Sequence, residues 1–291
     1  MAQLEPGMPK EEVLKIMGSP NDRSFASGDR VVSKPERSRY AVALFDVLGF
    51  SDWVERTDLQ TILDTYHELI KRAVLQPNEK GSLGAVQMPE GMIFAVGGPP
   101  HYAYFSDTIL LWCPLIPPAV GDFVERCSDL MCEALSLNVP LRGAIALGEA
   151  VLDSDNGFFI GKPIVEAHQV ESGQEWIGLT LGRSAVWSPF LVQLHGTAII
   201  EYRPPMKERA QPYSSPIVVD WPRRWRDRHD GECPSGKLRE LNTDPQFALK
   251  WDNAIAFAEY SLQKHDWHLR PEEIPEDALL KLVPREKADF G

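Results

Sequence analysis

The stretch Ala41 to Ser51, AVALFDVLGFS, reads as an apolar strand running into Asp46, then a turn relieved by Gly49, then the start of a helix. An ionised carboxylate at the mouth of an apolar core is costly unless a cation or a set of donors compensates it. The turn Val47-Leu48-Gly49-Phe50 brings main-chain amides and the positive end of the next helix within reach of an anion, and Gly49 lets that backbone approach closely. A metal ion on the carboxylate and phosphate on the turn is the chemistry that this arrangement predicts.

A second stretch answers the first. Tyr104 to Trp112, YFSDTILLW, reads as a hairpin, with a short aromatic strand, a tight Ser-Asp turn and a β-branched, aromatic strand. Asp107 falls at its tip, where an antiparallel neighbour of the first strand sets it beside Asp46. Two carboxylates so placed can hold two divalent ions about 3.5 to 4 Å apart, which activates an attacking oxygen and steadies a leaving phosphate. Either aspartate alone reads as a turn or cap residue; together and in this order they are specific.

FDVLGFS, then FSDTILLW, then PLRGAIALGEAV, then GFFIGKPIVEAHQVES resembles the catalytic domain of the class III nucleotide cyclases. That family's pattern is F-x-D-hydrophobic-x-G-F-[ST], G-D, R-x-G-[IL]-x-x-G and W-G-x-x-V-N-x-A-x-R. The resemblance spans Arg39 to Tyr202. It implies that Asp46 and Asp107 are the metal aspartates and that Arg142 binds the triphosphate. Aligning Gly161 with the glycine of W-G puts Val165 at the transition-state asparagine and Gln169 at the transition-state arginine. Phe158 and Ala103 then stand where an aspartate and a lysine read a purine. A kept metal half beside a remade base half resembles the pyrimidine cyclases of bacterial anti-phage Pycsar systems.

With 291 residues, 43% apolar and 25% charged, the chain has room for one sizeable domain and an appended piece. A net charge of −12 works against non-specific nucleic-acid binding, and no apolar run is long enough to span a bilayer. No apolar leader follows Met1. The four cysteines, Cys113, Cys127, Cys132 and Cys233, have no C-x-x-C spacing, which fits a reducing, cytoplasmic setting.

Residues 1–38 read as an N-terminal extension with a short helix, Lys10 to Met17. Apolar spacing predicts a helix over 51–74 broken near Asp58, and Gln76 to Pro100 reads as a Pro- and Gly-rich flap. A helix over 120–137, a strand over 140–151 and a helix over 162–172 follow. Then come a strand at 177–181, a helix over 183–194 and a closing strand at 197–202. The order predicts an α/β (α+β) fold: a ferredoxin-like palm of the class III cyclase type, a mixed sheet with helices on one face, over 39–202. Residues 203–291 read as a C-terminal extension with a helix near 244–264. The run Trp221 to Arg228 reads as a dimer contact or solvated loop rather than a nucleic-acid patch, because Asp220, Asp227, Asp230 and Glu232 nearly cancel its arginines.

Residues and resemblance together imply a metal-dependent cyclase converting a pyrimidine nucleoside triphosphate, UTP before CTP, to the 3′,5′-cyclic monophosphate and diphosphate. Its product would be a second messenger of anti-phage defence, read by a separate cyclic-nucleotide effector. Two Mn2+ or Mg2+ ions per site would lie on Asp46, Asp107 and the main chain at Val47. Catalysis would involve Asp46, Asp107, Arg142 and Gln169. Substrate would meet Val47, Leu48, Gly49, Phe50, Tyr104, Phe158 and Val165, with Arg203 and Lys207 as weaker phosphate candidates. Arg142 reads as a bidentate phosphate clamp in preference to a paired surface residue. The family implies a homodimer with shared sites. The alternatives are a catalytically inactive cyclase-fold module that binds a nucleotide or a partner, and a purine (adenylate) cyclase with relocated base contacts.

Overall fold

In chain order, β1 (Ser38–Val47) leads through α1 (Phe50–Arg56) and α2 (Leu59–Ile70) to a separate hairpin, β2 (Gly84–Gln87) and β3 (Ile93–Val96). The hairpin β4 (His101–Phe105) and β5 (Thr108–Pro114) follows, then α3 (Pro117–Ser136), β6 (Leu141–Asp153) and β7 (Phe158–Gly161). Next come α4 (Lys162–Gly173), β8 (Leu179–Gly182), two single-turn helices α5 (Arg183–Val186) and α6 (Pro189–Val192), β9 (Ile199–Glu201) and β10 (Ser214–Val219). Helices α7 (Trp221–Arg228), α8 (Ser235–Leu241) and α9 (Ala248–His265) complete the elements. This computed structural model describes residues 37–75, 84–87, 93–96, 99–154, 156–186, 188–192 and 194–265. The helix expected over Lys10 to Met17 lies outside the described residues.

The run Ala41–Phe45 is buried on both faces, which is why β1 is continuously apolar rather than alternating. It pairs antiparallel with β5 on one side and with β6 on the other. The order β4-β5-β1-β6, with α1 and α2 joining β1 to β4 and α3 joining β5 to β6, is the ferredoxin-like palm. Beyond β6 the sheet continues through β8, parallel to it, then β10 and β9, so the sheet is mixed. Among the described residues, no helix is long and apolar enough to cross a membrane.

Two expectations are corrected here. The helices do not all share one face. Those of α2, α3, α7, α8 and α9 pack on the side bearing Ala41, Ala43 and Phe45, whereas α4 lies on the other, on Val42, Leu44, Ala144 and Ala146. Small side chains on β6, with Gly148 under the Pro163 ring, let α4 sit close. Residues past 202 are also not simply appended. β10 enters the sheet between β8 and β9, and Trp251, Ala254, Phe257 and Ala258 of α9 are part of the main core.

Local signals account for the boundaries. Asp58 divides the expected 51–74 helix by capping α2, its carboxylate accepting the Thr61 N–H at 3.1 Å. The helix expected over 183–194 is two separate turns, with Pro189 opening the second. The arginines of α7 are spent inside the fold. Arg223 donates to the carbonyls of Gly196 and Thr197, Arg224 to Asp129 at 2.7 and 3.0 Å, Arg226 to Ser261 and Arg228 to Asp129 and Glu133. Cys113, Cys127 and Cys132 are buried and unbridged, and burial raises all three thiols.

Candidate active site

Asp46, next to the end of β1, stands opposite Thr108 on β5 and Arg142 on β6. Directly paired residues project to the same side of a sheet. Asp46 therefore shares the α4 side with Leu44, Leu110 and Ala144, and its side chain is 20% exposed. Asp107 occupies the tight turn between β4 and β5, after Ser106 at φ 57°. Its carbonyl accepts the Val47 N–H at 3.0 Å, and the Ser106 carbonyl accepts the Tyr66 hydroxyl at 3.0 Å. These bonds tie the turn to β1 and α2, so the two carboxylates meet at one corner of the sheet.

Burial is the largest influence on Asp46 and holds its carboxyl above the usual range, although the Arg142 guanidinium acts in the opposite direction; the Asp107 charge adds to the rise. Burial also raises the Tyr66 hydroxyl, and both aspartates push it further. Negative charge is thus concentrated in a poorly solvated corner. That is the electrostatic condition that favours a bound cation.

Arg142 answers this charge within the chain. Its Nε–H donates to Asp46 Oδ2 at 2.9 Å, its Nη2 lies 2.8 Å from the same oxygen, and its Nη1 donates to the Gln174 carbonyl at 3.4 Å. Glu171 Oε1 lies 2.8 Å from Nε without a hydrogen bond. The glutamate side chain is 3% exposed, and burial pushes its carboxyl up to about 7 against the pull of Arg142, with Asp46 and Asp107 raising it further. Gln174 is locked in turn, its amide donating to the Gly143 carbonyl at 2.6 Å and accepting the Thr180 hydroxyl at 2.7 Å. Gly143 follows Arg142 because a Cβ there would lie 2.6 Å from the Phe45 ring.

The expected phosphate turn is narrower than the sequence implies. Val47 and Leu48 already donate their N–H groups, to the carbonyls of Asp107 and Pro140 at 3.0 and 2.9 Å. The amides of Gly49 and Phe50 stand at the start of α1, with Gly49 at φ +77°. Phe247, just before α9, lies over Gly49, 3.7 Å from where a Cβ would be. Lys250 belongs to this corner too. Burial lowers its ammonium group, Arg142 and Lys207 lower it further, and Asp46 and Glu175 oppose them.

The remaining candidates lie elsewhere in the chain. Tyr104 is on the opposite side of β4 from Asp46, its ring 5.8 Å from that of Tyr66, whereas Ala103 is on the Asp46 side. Phe158 pairs with Asp153 at the far end of β6, roughly 35 Å along the strand from Arg142. Val165, 57% exposed, follows Pro163, which packs on Gly148, toward the same far end. Gln169 is half-buried on α4, one turn beyond Val165 and two residues before Glu171.

Glu171, Lys250 and Phe247 lie at this corner, and the motif reading passes over them. A signal for Glu171 exists in the sequence: Pro163, Ala167 and Val170 mark the buried stripe of α4, and Glu171 and Gln174 continue it as polar residues in an apolar pattern.

The donor set fits a magnesium- or manganese-type ion. Two carboxylates at one partly solvated corner are hard oxygen ligands, and such ions commonly take one or two carboxylates and complete their shell with water and substrate oxygens. Among the described residues no group of three or more His, Cys, Asp or Glu side chains is gathered for a metal.

No family model matches the chain, and no curated protein does. Several solved structures are similar in part. The catalytic core of a rhodopsin-guanylyl cyclase with converted specificity, in complex with ATPαS, is 12% identical with a TM-score of 0.43, covering 64% of this chain and 97% of that one. The guanylyl cyclase Cya2 is 13% identical with a TM-score of 0.36, covering 64% and 92%. A bacterial light-regulated adenylyl cyclase is 10% identical with a TM-score of 0.42, covering 65% and 54%.

Proposed function

We propose that this chain is a metal-dependent nucleotide cyclase that converts a pyrimidine nucleoside triphosphate, UTP in preference to CTP, to the 3′,5′-cyclic monophosphate and diphosphate. The observation that carries the reading is the meeting of Asp46 and Asp107 at one corner, on the sheet side that presents Arg142. In the reaction the 3′-hydroxyl oxygen bonds to the α-phosphorus, its proton passes to solvent water, and diphosphate departs with the electron pair of the broken bond. Magnesium or manganese ions, when bound by Asp46 and Asp107, supply charge stabilisation to the attacking and leaving oxygens.

The protein's own part is positioning and charge. Arg142 binds the triphosphate, the amides of Gly49 and Phe50 receive phosphate oxygens, and Lys250 adds positive charge from α9. Support for a pyrimidine comes from Ala103 and Phe158, which offer no polar side chain where the resembled family reads a purine. The same resemblance supports a role as second messenger in anti-phage defence, with a separate effector reading the product.

The placement of Phe158 and Val165 toward the far end of the sheet supports a shared site in a homodimer. A two-fold axis brings one subunit's Val165 and Gln169 to the other's aspartates and builds the site twice. The test is turnover of the four ribonucleoside triphosphates with Mn2+, in wild type and Asp107→Ala. ATP turnover above that of UTP would make it a purine cyclase.

A second reading is an inactive nucleotide-binding module. Val165 and Gln169 in place of the family's transition-state asparagine and arginine favour it. Thermal stabilisation by a triphosphate and metal without any turnover would establish it.

A further inference from the structure

Arg142 has one committed partner and another waiting. Asp46 Oδ2 takes both its Nε and Nη2 contacts, at 2.9 and 2.8 Å. Glu171 Oε1, on a side chain 3% exposed, lies 2.8 Å from Nε and receives no hydrogen bond from a described residue. A buried carboxylate oxygen without a donor is costly, and most such groups in folded proteins are paired. Its placement within reach of a donor committed elsewhere is what requires an account.

We propose that Glu171 is a positioning residue: with the Gln174 carbonyl it forms a second seat that retains Arg142 when a divalent cation takes Asp46. The inference rests on the metal reading of Asp46 given above. The Arg142 guanidinium sits on Asp46 and neutralises it. With a divalent ion held on the same carboxylate, the guanidinium would be repelled and its Nε–H would turn to Glu171 Oε1. The Nη1 contact to the Gln174 carbonyl persists through the exchange.

The seat itself stays still. Glu171 and Gln174 lie at the C-terminal end of α4, and the fully buried Gln174 side chain is fixed by Gly143 and Thr180. Arg142 thereby remains at the edge of the metal site with Nη2 released toward an incoming phosphate. Without Glu171 the displaced guanidinium has only a carbonyl to hold it.

The test uses the full chain with 15Nε-labelled arginine and Mg2+ alone as the probe. The Arg142 Nε–H resonance is assigned by its loss in Arg142→Lys. On Mg2+ titration it shifts in the wild type, and at saturation its proton exchanges with water about tenfold more slowly than in Glu171→Gln. A resonance unmoved at saturating Mg2+ means that Arg142 never leaves Asp46. One that moves but exchanges as fast in the wild type as in Glu171→Gln means that nothing retains it; either result overturns the proposal. Should Glu171→Gln not fold, the wild-type titration decides: protection kept at saturation supports the seat, and protection lost refutes it. Absence of any Asp46-dependent Mg2+ binding by calorimetry would overturn the metal reading of Asp46 and this inference with it.

Discussion

The Nε of Arg142 lies 2.9 Å from Asp46 Oδ2 and 2.8 Å from Glu171 Oε1, yet only the aspartate accepts a hydrogen bond from its N–H. One guanidinium is therefore shared between two poorly solvated carboxylates, with Asp107 adding a third negative charge nearby.

Burial of these carboxylates makes stability fall with rising pH, against the pull of Arg142. Glu171 is held at about 7, above its ordinary 4.5, so the folded chain binds that proton more tightly than the unfolded chain. The stabilisation is complete below about pH 4.5 and is lost as pH rises through about 7, amounting to about 3 kcal/mol from this group. Asp46 acts in the same direction. Denaturant unfolding from pH 5 to 8 should show the decline, and Glu171→Gln should flatten it and raise stability at pH 8. A profile unchanged by that substitution would contradict the account.

Removing either aspartate should cost turnover and spare the fold. Asp46→Ala and Asp107→Ala are each expected to lower activity by at least about 100-fold, the scale of losing metal-assisted charge stabilisation. Relief of like-charge crowding offsets lost contacts, so melting temperatures should stay within a few degrees of wild type. Near-normal turnover of either variant at saturating Mn2+ would remove it from the metal site.

Asp46 and Asp107 were legible because each closes a strand with strong local signals: a continuous apolar run in one case, a tight aromatic hairpin in the other. Arg142 was legible as a residue but not in its pairing. Glu171 lies 29 positions further on, and only the close packing of α4 on the small residues of β6 brings them together. β10 was missed for a related reason. Its Pro216 and short Ile217–Val219 run are a weak local signal, and its place between β8 and β9 depends on partners far apart in the chain. Phe247, just before α9, and Lys250, in its first turn, reach the corner from a distance that no local pattern encodes.

Gly143→Ala should destabilise the protein by about 1 to 3 kcal/mol, the cost of overpacking. Its Cβ would fall 2.6 Å from the Phe45 ring and 2.9 Å from the Leu44 carbonyl oxygen, in a sheet interior that cannot open cheaply. Denaturant unfolding measures it; a wild-type midpoint would mean that β1 and β6 are less tightly apposed.

Shared sites predict complementation. Asp46→Ala and Val165→Arg should each be inactive alone, because one removes the metal corner and the other blocks the facing helix. Mixed, they should recover activity, since each heterodimer carries one intact composite site. Heterodimers that form and stay inactive would argue for sites complete within one chain.

The most direct measurement is incubation of the purified chain with ATP, GTP, CTP and UTP and Mn2+, with products resolved by chromatography and Asp46→Ala as control. The account predicts a 3′,5′-cyclic pyrimidine nucleotide and diphosphate, most from UTP, and none from the variant. Cyclic purine nucleotide as the main product, or no cyclic product from any of the four, would contradict it.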